Sequence, residues 1–178
     1  VQFYDSHIPL LEYYNVEKQL KQSFGKHVNI PSSKGAYLVI EHTEALHVID
    51  VNSGNNISSG GAGNKDHALN VNKMAATEIA RQLRLRDMGG IIVIDFIDMI
   101  NADHRRDLYE HLKKEMSRDK ARHKILPPSK FGLIQLTRQR TRPENIIETK
   151  EENPNADGEI LAPIVVVERM EEVIRGLI

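Results

Sequence analysis

The sequence contains no cysteine, which excludes disulfides, thiolate zinc sites, iron–sulfur ligation and a cysteine nucleophile together. It also lacks an apolar run long enough to cross a bilayer, and it shows neither a signal peptide nor a lipidation motif. No membrane partner is therefore expected, and a cytoplasmic location is. No internal repeat is present. What remains is 178 residues with 40% hydrophobic and 28% charged side chains, the composition of a folded domain with one core. The first residue is Val, and the chain opens in what reads as mid-domain, so a piece of a larger protein is expected.

The net charge of −1 conceals an uneven distribution. Residues 1–100 carry 9 Lys+Arg against 11 Asp+Glu, residues 101–142 carry 12 against 5, and residues 143–178 carry 3 against 9. A basic block that follows two acidic strand ends suits a site handling polyanions with a divalent cation. A solvated helix face with a neutralising acidic tail would give the same count.

Periodicity supplies the elements. Val16 to Phe24 predicts a short helix stopped near Gly25, and residues 36–40 and 45–51 predict two strands joined by a tight reversal. Residues 53–65, rich in Gly, Ser and Asn, predict a mobile loop. Leu69, Ala76, Ile79 and Leu83 mark a helix face, with Asp66 as the cap, Gly89-Gly90 as the stop, and Arg81, Arg84 and Arg86 pointing away from the apolar stripe. The β-branched run 91–97 predicts a central strand covered on both faces. Asn101 offers an N-cap for a helix reaching about Ala121, with Leu108, Leu112 and Met116 inward, and residues 131–137 predict a further strand. Beyond Pro143 a polar linker to Gly158 precedes a strand, 160–167, and a short helix from about Glu168. Strands and helices interleave, so the fold class is α/β with a mixed sheet flanked by helices.

Two strands end in carboxylates. In the first, alternation puts Asp50 and Asn52 on one face, and Asp95 would meet them if its strand is the neighbour. Such a pair offers hard oxygen ligands to Mg²⁺ or Mn²⁺, which suit phosphate substrates. The alternative is that both aspartates cap turns or accept hydrogen bonds as satisfied strand-end residues. Lys120 with Arg122, Arg138 with Arg140, and Lys130 beside Phe131 are candidates to contact phosphates and stack a base, although an isolated Phe beside Gly in a strand is more often a core residue. The histidines are weaker candidates: His104, His111 and His123 are too far apart for a helical zinc pair, and His42 with His47 has no third ligand nearby. Gly60-Gly61-Ala62-Gly63 lacks the Gly-Lys-Ser/Thr ending of a phosphate loop.

Longer motifs then carry a resemblance. Ile49-Asp-Val-Asn-Ser-Gly54, Glu78-Ile-Ala-Arg-Gln-Leu-Arg-Leu-Arg-Asp-Met-Gly-Gly90 and Ile94-Asp-Phe-Ile-Asp-Met99 resemble, in order and spacing, the signature of the bacterial ribonuclease E/G family. Glu41-His-Thr-Glu-Ala45, Lys130-Phe-Gly-Leu133 and Thr137-Arg-Gln-Arg140 extend the likeness from about Pro9 to Arg142, with local wording nearest a ribonuclease G-like branch. The resemblance implies a deoxyribonuclease-I-like catalytic subdomain in which Asp50 and Asp95 hold Mg²⁺, Asn52 orients one of them and Asp98 is secondary. It further implies internal cleavage of single-stranded, A/U-rich RNA with a 5′-monophosphate, in RNA processing and decay, leaving 5′-phosphate and 3′-hydroxyl ends. A catalytically idle RNA-binding or assembly module of the same fold is the alternative.

The family's Cys-Pro-x-Cys zinc link is replaced here by Glu152-Asn-Pro-Asn-Ala-Asp-Gly158, so no zinc is expected, and any homo-oligomer would rest on family-type dimer contacts. The resemblance divides the chain into the end of a ribonuclease-H-like domain (1–34), the catalytic domain (35–142), a linker (143–158) and the start of a small C-terminal domain (159–178). An OB-fold domain and a 5′-end sensor would precede Val1, so weak RNA binding and slow cleavage are expected of this chain alone.

Overall fold

The computed structural model describes residues 3–54, 63–129, 132–142, 144, 150–152 and 159–161. The chain divides into two units, Val1–Asn145 and Ile146–Ile178. In the first, α1 (Leu10–Tyr13), α2 (Val16–Phe24), β1 (His27–Asn29), β2 (Tyr37–His42), β3 (Leu46–Asn52), α3 (Gly63–Leu85), β4 (Gly90–Asp95), α4 (Ala102–Met116), β5 (His123–Ile125) and β6 (Ile134–Arg138) follow in order. The strands form one mixed sheet in the order β1-β2-β3-β4-β6-β5. β3 and β4 run parallel through the α3 crossover, and the other neighbours are antiparallel. In the second unit, β7 (Lys150–Glu152) pairs antiparallel with β8 (Glu159–Leu161).

Alternation divides the sheet into two faces. Leu38 and Ile40 of β2, Ile49 and Val51 of β3, Ile92 and Ile94 of β4, and Ile134 and Leu136 of β6 are buried with the inward stripes of α3 and α4. Ile79 and Leu83 of α3 and Leu112 and Met116 of α4 are fully enclosed, each contributing about 1.5–3 kcal/mol through burial. On the other face lie Leu46, Val48, Asp50, Ile91, Val93, Asp95, Gln135 and Thr137, all exposed or half-buried. The β-branched run of β4 is therefore central in the sheet but covered on one face, because α3 and α4 pack against each other on the same side. Ile91 is 50% exposed.

Local signals place several boundaries. Asn101 caps α4 by accepting from the Asp103 N–H at 2.8 Å, while α2 ends at Gly25. α4 stops at Met116, five residues before the expected end, and Asp119 then accepts the Ala121 N–H at 3.0 Å to shape the turn into β5. Residues 63–65 belong to α3, so Asp66 sits inside that helix and is not its cap; the expected loop otherwise falls on residues 55–62, outside those described.

The C-terminal stop of α3 is Asp87, in the left-handed region at φ 52°, and not the glycine pair. Met88 N–H donates to Leu83 O and Asp87 N–H to Arg84 O, the pairing of a Schellman motif, with Met88 and Leu83 both buried behind it. Gly89 serves a different need: a Cβ there would meet Arg140 Cγ at 2.5 Å. Arg86, expected to face outward, is 4% exposed. Its guanidinium donates to Gln82 Oε1 and to the Ser23 and Gly25 carbonyls at the end of α2, while Gln82 and Arg81 donate to buried Glu78. The long motif of α3 is thus largely a buried polar network.

β1, β5 and α1 escape sequence patterning because each has four residues or fewer. The pairing of β1 with β2 brings residues 27–29 into the six-stranded sheet, beyond the boundary expected at residue 34. The expected linker contains β7, and the expected helix from Glu168 lies outside the described residues.

Candidate carboxylate site

Both parallel strands direct their carboxyl ends to one edge of the sheet, where open α/β sheets bind ligands. Asp50 and Asp95 are register partners across β3 and β4, so their side chains leave the same face about 4.8 Å apart at the backbone. Both are exposed. Asn52, two residues beyond Asp50, donates from Nδ2 to Asp50 Oδ2 at 2.8 Å and fixes that carboxylate. Burial first, then the negative charges of Asp50 and Asp98, push the Asp95 carboxyl above its ordinary range. Three acidic groups converge here, with no neutralising side chain among the described residues acting on Asp95, and form a hard-oxygen set that fits a divalent cation such as Mg²⁺ or Mn²⁺.

The surrounding backbone is closely constrained. Gly54, at φ 66°, approaches Gly35 so closely that a Cβ would stand 2.3 Å from the Gly35 carbonyl oxygen. Gly132, at φ 82°, turns beside Asp98, whose Oδ1 would lie 3.6 Å from an added Cβ. Sequence reasoning missed Asn72, a fully buried amide on α3. It accepts from the Ile97 N–H at 3.0 Å and donates to the Ile97 carbonyl at 2.8 Å, in the manner of a neighbouring strand. The segment between Asp95 and Asp98 is thereby locked. Arg105 holds the continuation, donating to the Met99 carbonyl at 2.5 Å and the Ile100 carbonyl at 2.9 Å. An Asn inside an amphipathic helix pattern was the available signal.

The basic candidates lie elsewhere. Arg138 is opposite Gly90, at the other end of β4 from Asp95, about 17 Å away along the strand. It is 5% exposed, bound to Asp119 at 2.7 Å and to the Met88 carbonyl at 3.0 Å, which makes it a structural cation. Lys120, Arg122 and Arg140 are exposed at that same pole. Arg122, Lys124, Thr137 and Gln139 line a groove of about 530 Å³ there. Lys130 and Phe131 lie outside the described residues. No helix among the described residues is long and apolar enough to cross a membrane.

An exposed carboxylate pair at the carboxyl edge of parallel strands, with a basic groove at the opposite pole of the sheet, defines an α/β domain whose acidic cluster lies where such sheets commonly bind ligands. Comparison with known proteins makes this specific. The profile of the Ribonuclease E/G family matches residues 1–141. The chain is 45% identical over 143 residues to "Ribonuclease E/G-like protein, chloroplastic" of Arabidopsis thaliana, covering 80% of this chain and 14% of that protein. It is 44% identical over 143 residues to ribonuclease E of Escherichia coli, covering 80% and 13%, and 41% identical over 142 residues to ribonuclease G of Salmonella typhimurium, covering 80% and 28%. This chain belongs to the ribonuclease E/G family. Identities of 44% and 41% are too close to assign the E or the G branch.

Proposed function

We propose that this chain carries the hydrolytic site of an endoribonuclease that cuts single-stranded RNA internally. The observation that carries the reading is the placement of Asp50 opposite Asp95 on parallel strands, with Asn52 bonded to Asp50. Asp50 and Asp95 would hold the cation, Asn52 would keep Asp50 in one rotamer, and Asp98 would add negative charge. Bound there, Mg²⁺ or Mn²⁺ would supply positive charge against the phosphoryl oxygens and a lowered pKa for the attacking water. In-line attack on phosphorus then breaks the bond to the 3′ oxygen, leaving 5′-phosphate and 3′-hydroxyl ends.

RNA would cross the uncovered sheet face, from the Arg122 and Lys124 groove to the carboxylates. The lysine shares that face with Thr137 and Ile91, its neighbours in the ladder. A/U-rich sequence, a preference for a 5′-monophosphate, a role in RNA processing and decay, a cytoplasmic setting and self-association rest on the motif resemblance alone and belong to the same proposal.

The test is cleavage of a short 5′-monophosphorylated, A/U-rich single-stranded RNA with Mg²⁺ and with EDTA. Metal-dependent internal cuts leaving 5′-phosphates are expected. The Asp50→Asn, Asp95→Asn double variant should lose them while retaining or improving RNA binding, because negative charge is removed. Intact RNA in the presence of folded, Mg²⁺-saturated protein would mean either that catalysis needs the further domains the family resemblance implies or that this chain only binds RNA.

A further inference from the structure

A second set of ligand-type side chains lies at the other end of β3, on the opposite face from Asp50. His42 and His47 face each other across the β2–β3 hairpin as register partners. Thr43 closes that hairpin: its N–H donates to the Leu46 carbonyl at 2.9 Å and its hydroxyl accepts from the Leu46 N–H at 3.0 Å. The two Nδ1 atoms are 2.8 Å apart. Glu144, far along the chain, brings Oε1 to 3.5 Å from His42 Nδ1 and Oε2 to 3.5 Å from His47 Nε2. One ligand atom from each of the three residues lies within 4.8 Å of the others.

We propose that His42, His47 and Glu144 form a binding site for a transition-metal ion, with Zn²⁺ as the best-matched ion. Three observations support it. First, His47 Nε2 lies 3.0 Å from the Gly89 carbonyl oxygen, so Nε2–H donates there and Nδ1 keeps its lone pair toward His42. A backbone carbonyl fixing the tautomer of a ligating imidazole is the usual support of a protein metal site. Second, Glu144 Oε1 is inaccessible to solvent and finds no hydrogen-bond partner among the described residues, a carboxylate oxygen that a cation would satisfy. Third, donors on a tetrahedral zinc stand roughly 3.3 Å apart, and the two separations that share His42 Nδ1, 2.8 Å to His47 Nδ1 and 3.5 Å to Glu144 Oε1, are each within about half an ångström of that value.

The donor chemistry separates this site from the carboxylates. Two imidazoles and one carboxylate suit Zn²⁺, whereas Mg²⁺ prefers an all-oxygen shell. Absence of cysteine excludes thiolate zinc but leaves this set untouched. Three protein ligands leave a fourth position for water. The bound ion would tie Glu144 to the β2–β3 hairpin and, through the His47–Gly89 hydrogen bond, to the turn before β4. His47 is about 10 Å along β3 from Asp50, and the inference does not depend on the ribonuclease reading.

The test uses the 178-residue protein stripped with EDTA, titrated with Zn²⁺ against a chromophoric indicator and, separately, with Co²⁺ to read the visible spectrum. Expected are one Zn²⁺ per chain with micromolar or tighter affinity and a Co²⁺ band of tetrahedral intensity. His42→Ala and Glu144→Gln, each verified as folded by circular dichroism, should each weaken binding by about tenfold or more. The Asp50→Asn, Asp95→Asn variant should bind zinc as the parent does. No stoichiometric binding by the parent, or binding lost only in the aspartate variant, would overturn the proposal. Binding unchanged in Glu144→Gln would overturn the three-ligand assignment.

Discussion

Asn72→Ala should damage both the stability of the domain and its use of metal. The side chain is fully buried, and its two hydrogen bonds, 2.8 and 3.0 Å long, go to both backbone groups of Ile97. Each bond contributes about 1 kcal/mol net, and leaving half-buried Ile97 short of partners costs about 1 kcal/mol more, for a total of about 2–4 kcal/mol. In a unit of this size that lowers the melting temperature by on the order of 10 °C. Urea unfolding followed by circular dichroism reads the loss. Asn72→Asp sharpens the argument: it is nearly isosteric and keeps the acceptor, but sets a carboxylate against the Ile97 carbonyl, so it should cost at least as much. Because Ile97 lies between Asp95 and Asp98, the Mg²⁺ concentration giving half-maximal RNA cleavage should rise about tenfold. Leu112→Ala, at a fully buried position remote from the loop, should cost a comparable 2–5 kcal/mol and leave the Mg²⁺ requirement unchanged. Equal shifts in both variants, or a neutral Asn72→Asp, would refute a positioning role for Asn72.

Other outcomes follow from particular contacts. Arg138→Ala should destabilise by about 3–5 kcal/mol in denaturant titration, because it strands buried Asp119, whereas Lys120→Ala and Arg122→Ala should change stability by about 0.5 kcal/mol or less. Each of those two should lower the salt slope of single-stranded RNA binding by about 0.7, read from binding isotherms over a series of salt concentrations. Burial alone would raise the Asp119 carboxyl, but hydrogen bonds from Arg138 and the Ala121 N–H, with the Arg138 charge, hold it below its ordinary value. Its stabilisation is therefore present above about pH 4 and fades as pH falls toward the lower folded value, an acid sensitivity that Asp119→Asn should remove in unfolding measured across pH. Asp95 has the opposite sign: its raised folded pKa makes stability fall as pH rises through that value, and Asp50→Asn should reduce the effect and move the Asp95 carboxyl resonance toward an ordinary titration. Gly54→Ala should destabilise by about 2 kcal/mol or more in thermal unfolding, since φ 66° and contact with Gly35 both oppose a Cβ.

Short-range patterns were enough for much of this chain. The apolar stripe of α4, the stop of α2 at Gly25, the alternation of β2 and β3, and the N-cap at Asn101 are written in residues at most a few positions apart, where helix and strand periods act. Asp50, Asn52 and Asp95 were legible for the same reason, with one condition left open: that β3 and β4 are neighbours, which register alone decides. Long-range packing settled the rest. It laid α3 and α4 on one side of the sheet, so the apolar run of β4 has an uncovered face on which the aspartates stand. It enclosed Arg86 and Arg138, whose charge in sequence suggests a surface and whose partners, Ser23, Gly25 and Asp119, come from distant segments. It brought Glu144 to His42 and His47, a ligand set that no local spacing announces. Periodicity reports how a segment is built, while the partner of a side chain depends on which segments the completed sheet makes adjacent.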